Sequence, residues 1–294
     1  MRRAARITIL MLALPAALVA LLAALWLALN TDAGRRVAER AVHRFSSERV
    51  TLSGLAGRFP DDLRLASLQV SDAAGPWLSV QDAVLRWSPL SLLTRRVRVA
   101  ELSAARVVVV RAPQTDASST SFPSLPKTVD VGALSIGRLE LGEALAGTPA
   151  TLTLQGSARL RSLDDASLAL EARRLDAAGI YHVRLASVDG GVTGDLRLDE
   201  PGDGALAHLL QLPGLGAWHA DGRIAGPRGA EAVDLQLMAG SLQSRLRGTL
   251  DWTRHSADIV VSAHSAAMAP RVDLRWERLD LDGRWRGTLP PRGP

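Results

Sequence analysis

From Val50 onward, apolar and polar residues alternate in short runs. This period of two constrains the fold more than any other feature of the chain. The runs 63–70, 77–87, 97–111, 134–141, 151–160, 167–175, 180–188, 192–198, 233–238, 242–252, 258–263 and 272–281 read as strands. Turn signals punctuate them: Asp72-Ala73-Ala74-Gly75-Pro76, Asp189-Gly190-Gly191 and Gly226-Pro227-Arg228-Gly229. Strands at this density, without long helices between them, predict a mainly β chain with an antiparallel, meandering sheet. One later helix signal stands out at 203–212, closed by Pro213-Gly214, with Leu206, Leu209 and Leu210 on its apolar face. It reads as a cap over a sheet edge, with a recognition helix as the other reading.

A finer spacing recurs inside the strands. Leu63, Leu65, Leu68 and Val70 stand at offsets 0, 2, 5 and 7, as do Leu134, Ile136, Leu139 and Leu141, and again Leu274, Trp276, Leu279 and Leu281. Val97, Val99 and Leu102 follow the same spacing, with Ala104 in the fourth place. Offsets 5 and 7 have the opposite parity to 0 and 2. All four residues face one side only if an extra residue is absorbed between the pairs, as a β-bulge does. Bulges bend strands, so the expected sheet is elongated and curled, with an apolar inner face. Chance recurrence in an alanine- and leucine-rich chain is the competing explanation.

Ahead of the strands lies an apolar run, 7–29, free of charge and preceded by Arg2, Arg3 and Arg6. At helical rise its 23 residues span about 34 Å, against about 30 Å for a hydrocarbon core. Trp26 stands near its far end, where an interfacial aromatic belongs, and Pro15 is tolerable in a membrane helix. The run reads as an uncleaved signal anchor. A cleaved signal peptide and a buried helix are the alternatives. Arginines flank both ends, so the count of positive charge does not orient it. The order of basic start then apolar core favours a cytoplasmic tail, 1–6, with the bulk of the chain across the membrane. Next, 33–45 reads as a helix with N-cap oxygens at Asn30-Thr31-Asp32 and Val37, Ala41 and Phe45 at fourfold spacing. It is either an amphipathic membrane-exit segment (30–45) or an ordinary connector. The Pro-, Ser- and Thr-rich stretch 112–127 reads as a linker between a first β unit, 46–111, and a second, 128–294.

Composition narrows the chemistry. No cysteine is present, which removes disulfides, thiol nucleophiles and cysteine metal sites. The net charge of +5 is carried by arginine interleaved with acids, Lys127 being the one lysine. That pattern describes solvated faces; a nucleic-acid reader would show a basic patch with stacking aromatics. None of the six histidines pairs with another at helical i, i+4 spacing, and no HExxH, GxSxG, GxxxxGK[ST] or GxGxxG occurs. Asp61-Asp62 and Asp164-Asp165 are turn acids. No enzyme, metal site or cofactor is expected. A single sheet with one apolar face must cover that face, and helices are scarce. Either the strands close into a packed sandwich, or an apolar partner such as lipid hydrocarbon occupies the face.

The ordered features resemble the N-terminal region of the TamB family, inner-membrane subunits of the translocation and assembly module within the AsmA-like group. They are the basic start and single span, Leu29-Asn30-Thr31-Asp32-Ala33-Gly34, Leu52-Ser53-Gly54-Leu55-Ala56-Gly57-Arg58-Phe59 and Leu63-Arg64-Leu65-Ala66-Ser67-Leu68. The run Trp77-Leu78-Ser79-Val80, the stretch Leu85-Arg86-Trp87-Ser88-Pro89-Leu90-Ser91-Leu92-Leu93, residues 97–111 and the segment 131–141 continue the likeness, which is strongest over 1–145. The resemblance implies a taco-like β-sheet projecting into the periplasm from the inner membrane. It implies support for outer-membrane protein assembly or phospholipid transport between membranes, with acyl chains and an outer-membrane barrel (TamA-like) as partners. Family members are far longer, and their region that meets the barrel has no counterpart here, so the second β unit is expected to be truncated, with a short paralogue as the other reading. The expected lipid-groove lining is Leu63, Leu65, Leu68, Val70, Val97, Val99, Leu102, Leu134, Ile136, Leu139 and Leu141. The alternative is an anchored β-scaffold with a closed core that binds a protein partner.

Overall fold

The computed structural model describes residues 30–47, 49–114, 128–162, 164–188, 191–202, 204–227, 229–251, 254, 256–271 and 273–288. The tail 1–6, the expected anchor 7–29, most of the linker and the last residues lie outside these. Among the described residues no helix is long and apolar enough to cross a membrane.

The first described element is helix α1 (Asp32–Phe45), which begins where the polar caps place it. Thr31 Oγ1 accepts from Gly34 N at 3.1 Å, Asp32 lies in the first turn, and His43 and Arg44 lie in the last, all favourable to the helix dipole. No residue of α1 is buried, and Phe45 is 91% exposed. Polar bonds tie it to the sheet edge instead. Arg35 donates to Gly57 O at 2.8 Å, Glu39 accepts from Leu55 N at 2.8 Å, and the Asn30 amide both donates to and accepts from the Phe59 backbone.

The strands are β1 (Val50–Ser53), β2 (Ala56–Arg58), β3 (Asp62–Asp72), β4 (Gly75–Trp87), β5 (Arg96–Val109), β6 (Thr128–Leu141), β7 (Ala150–Leu160), β8 (Ala166–Arg174) and β9 (Ile180–Val188). Then come β10 (Gly191–Glu200), β11 (Trp218–Pro227), β12 (Glu231–Ala239), β13 (Leu242–Asp251), β14 (Ser256–Ser265), β15 (Met268–Arg271), β16 (Leu274–Trp276) and β17 (Leu279–Thr288). Fifteen form one sheet in nearly sequential order, β1-β3-β4 through β14-β17, with β2 also on β3; β15 and β16 pair separately. The chain is mainly β, as the alternation predicts.

Several expectations need correction. The sheet is mixed rather than antiparallel, because β5 and β6 run parallel from Arg96↔Thr128 to Val109↔Leu141. A parallel neighbour needs a crossover of a dozen or more residues, and the 18 residues 110–127 are long enough. The segment read as a separator between units is therefore the return connection within one sheet. The sheet is also not curled: its path is open, and β17 does not pair back to the β1 edge. The register shifts at Arg86/Trp87 and at Val131/Leu134 lie level with one another across β4–β6. Finally, 272–281 is not one strand; β16 ends at Trp276 and β17 starts at Leu279. The expected helix 203–212 is shorter, α3 (Ala205–Leu209), because Pro213 opens a 3-10 turn, Pro213–Leu215.

Burial concentrates at one end of the strands. There, α2 (Glu143–Ala146), α3 and the Pro213–Leu215 turn cap the apolar face. Ala146, Ala150, Leu152 and Ala205 form one buried cluster, against which Leu139, Leu141 and Tyr181 pack. Ala207, Leu215, Trp218 and Ala239 form a second, packed by Leu206, Leu212, Leu237, Leu242 and Met268.

Candidate functional site

The bulges implied by the sequence spacing set the geometry of the β3–β6 region. Ile136 opposes Leu154 and Leu139 opposes Leu152, so Gly137 and Arg138 on β6 face the single residue Thr153 on β7. The same happens between Val131 and Leu134, where Gly132 and Ala133 face Ser157. On the β5 side the pairing stays in step, with Ala100 level with Gly132 and Ala105 level with Gly137. A Cβ at Gly132 would lie 2.9 Å from Ala100 O, and one at Gly137 3.0 Å from Ala105 O. At Gly132 a side chain would force the backbone to shift, and Gly137 sits at the limit of an ordinary Cβ contact. Every five residues the strand resets, and the two apolar side chains of each repeat return to one face.

Directly paired residues share a face, so the register maps that face across the sheet. One row runs Leu65, Ala83, Ala104, Ile136, Leu154, Ala172, Tyr181, Leu198, Ala220, Leu237. The next runs Leu63, Leu85, Leu102, Leu134, Gly156, Leu170, Val183, Leu196, Gly222, Leu235, Leu246, Val261. A third runs Trp87, Val99, Val131, Ala158, Leu168, Leu185, Gly194, Ile224, Val233, Gly248, Ile259, Trp285. With strands about 4.8 Å apart, the face extends roughly 60 Å across the sheet.

The structure brings the expected lining residues together on this face, though in two settings. Leu68 pairs through Val80 and Val107 with Leu139, and Val70 through Leu78 and Val109 with Leu141. Leu139 and Leu141 lie beneath the α2 cap, so they are core rather than open surface. Leu63, Leu65, Val97, Val99, Leu134 and Ile136 are half-buried, and Leu102 is 40% exposed. Away from the cap, Leu160, Leu168, Leu185 and Trp285 are exposed as well. At the same end of β12–β14, however, Glu231 and Ala257 are buried, so the exposed part of the face lies mainly over β7–β9 and at Trp285.

The strands β7–β14 and β17 supply most of the apolar face, whereas the expected lining residues stop at Leu141 on β6. Their signal was the plain alternation. β11 was missed altogether because its inward residues, Trp218, Ala220, Gly222, Ile224 and Gly226, include two glycines and end in a turn-like Gly-Pro. Its neighbours fill the gap at Gly222: a Cβ there would lie 2.9 Å from Leu235 Cδ1 and 3.5 Å from Leu196 Cβ.

The opposite face is charged and internally paired. Arg106 binds Glu140 through two bonds of 2.7 and 2.8 Å, Arg245 and Arg247 share Asp234, and Arg284 and Arg286 share Asp258. The two guanidiniums hold the Asp258 carboxyl well below the usual carboxylate range, and Arg111 with the Gln114 N–H does the same for Asp72. His182 meets Asp195 at 3.0 Å, while His219 and His264 pair with Asp199 and Asp280. A shallow depression of about 1090 Å³ over β8–β11 includes His182, Asp195 and Asp199 in its lining, and its three arginines, Arg184, Arg197 and Arg223, are matched by Asp195, Asp199 and Asp221. Among the described residues no three His, Asp or Glu converge on a metal position; His255 lies outside them.

The cap is held by one carboxylate. Glu200, 5% exposed, accepts from the Tyr181 hydroxyl, the Trp218 indole N–H at 2.9 Å and the backbone N–H groups of Leu206 and Ala207. Burial, and then the bond to Glu200, pushes the Tyr181 hydroxyl far above its ordinary pKa.

Comparison of the chain with protein-family models, with curated proteins and with solved structures gives no match in any of the three.

Proposed function

We propose that this protein is a non-enzymatic, membrane-anchored β-sheet whose apolar face receives phospholipid acyl chains. In this reading 7–29 anchors the chain in the inner membrane with a cytoplasmic N-terminus, and the sheet lies in the periplasm. The reading includes a part in phospholipid transport between membranes or in outer-membrane protein assembly, in keeping with the resemblance to the TamB family. The observation that supports it is the division between two faces: one rich in ion pairs, the other carrying three apolar rows across the sheet, with Leu102, Leu160, Leu168 and Leu185 exposed beyond the cap. Apolar surface on this scale is unfavourable in water and calls for an apolar occupant.

The test is photo-crosslinking in cells. A photoreactive phenylalanine analogue replaces Leu102, Leu168 or Leu185 on the apolar face, or Ser103, Ser167 or Arg184 on the other. Phospholipid adducts at the first three positions and none at the second three are the expected result. Adducts to polypeptide alone at the apolar positions would move the assignment to the protein-binding scaffold. Equal labelling of both faces would sink the assignment to lipid.

A further inference from the structure

The hairpin between β4 and β5 carries a 3-10 turn, Pro89–Thr94, with Leu90 77%, Leu92 46% and Leu93 84% exposed. Three leucines on one short turn are an unusual cost in water. The turn is held firmly. Ser91 Oγ donates to Ser88 O and Arg96 O, Ser88 N bonds Arg98 O, and Arg95 closes the turn in the left-handed region. The leucines are thus displayed by a built turn rather than by a loose loop. Residues 88–98 include Arg95, Arg96 and Arg98 and no acid.

Location gives the turn its meaning. The Trp87 indole N–H donates to Pro60 O at 2.7 Å, and the neighbouring Phe59 backbone is gripped by the Asn30 side chain. Asn30 directly follows the apolar run 7–29. The leucine turn therefore stands at the end of the sheet where that run joins it. The open row of the apolar face starts beside it, at Trp87 and Val99.

We infer that the Pro89–Thr94 turn is a second membrane contact, with its leucines in the acyl boundary and Arg95, Arg96 and Arg98 on anionic phosphate headgroups. Apolar insertion beside basic residues is the chemistry of an interfacial anchor. The inference rests on the anchored reading above. It adds that two contacts, not one, fix the sheet against the bilayer, so the apolar face begins at the lipid surface.

The chain lacks cysteine, so single labels are clean. Full-length Leu93→Cys and, at the other end of the strands, Ala73→Cys each carry a polarity-sensitive fluorophore. Both are reconstituted into vesicles of phosphatidylcholine and phosphatidylglycerol, with flotation recorded in parallel. The Leu93 label is expected to brighten several-fold, shift to the blue and be quenched by lipids with nitroxide on the acyl chain; the Ala73 label stays aqueous. A chain that floats while its Leu93 label stays aqueous overturns this contact and leaves the anchor standing. A chain that does not float overturns both. A blue shift that grows with protein concentration in the absence of vesicles assigns the leucines to a second copy and also overturns the contact.

Discussion

Gly132 sits where a side chain on β6 would press against the Ala100 carbonyl, whereas a Cβ added at Gly283 on edge strand β17 would meet nothing within 4 Å. Gly132→Val should therefore cost about 1–3 kcal/mol, as overpacking does. Gly283→Ala should be neutral or stabilise by about 0.4–1 kcal/mol through the unfolded chain. Urea melts of the two variants measure the contrast, and equal effects would refute the close-approach argument. Asp72 is also decided at this scale. Its carboxylate accepts from both Arg111 nitrogens and from Gln114 N, pinning the end of β5 to the β3–β4 turn. The folded-state pKa is depressed, so the stabilisation is complete once the pH is above the unfolded aspartate value of about 4. It is lost as pH falls through the lower folded value. The stability difference between wild type and Asp72→Asn should be flat from pH 8 to about pH 5 and vanish in strong acid. A difference that disappears near neutrality would contradict this.

At the scale of elements, the cap is a short assembly that its own helices cannot sustain; α2 and α3 have four and five residues. Helices of this length are unstable alone and depend on tertiary contacts. Glu200 supplies them by bonding two backbone N–H groups at the start of α3 and the Trp218 indole. Glu200→Ala strands those donors and should cost about 1–3 kcal/mol. Hydrogen exchange should quicken first in Ala205–Leu209, with β7–β10 still protected. Loss of protection everywhere at once would show that the cap and sheet unfold as one unit. The β strands were legible because alternation repeats over whole segments. Of the cap, α3 was legible as a shorter form of the expected helix 203–212, whereas α2 was not, since four residues have no room for a helical period, and Glu200 lies beyond the run 192–198.

For the whole molecule, the uncovered apolar face separates the two readings of function. Leu65→Asp and Leu185→Asp place a carboxylate on half-buried or exposed surface, 45% exposed at Leu185. They should melt close to wild type yet lose lipid adducts. Leu152→Asp, 6% exposed beneath the cap, should lose several kcal/mol, because an unpaired charge there has no water. Thermal melts paired with the crosslinking yield check all three. Unfolding of the Leu65 and Leu185 variants would favour a closed core and a protein-binding scaffold.

The sequence by itself determined most of the strands, the bulges of β6 and the sidedness, but not β11 or the break between β16 and β17. Alternation is a local property, and the offsets of Leu134, Ile136, Leu139 and Leu141 already contain the extra residue that Gly137 absorbs. The arginine-rich charge likewise reads as a solvated face before its partners are known. Tertiary structure decided which strand lies beside which. That β6 pairs parallel to β5 depends on where an 18-residue connection returns, a non-local choice that no run of residues encodes. It also decided that Leu139 and Leu141 fall under the cap while Leu102 remains open. All three share one pattern, and only the position of α2 and α3 over one end of the sheet distinguishes them.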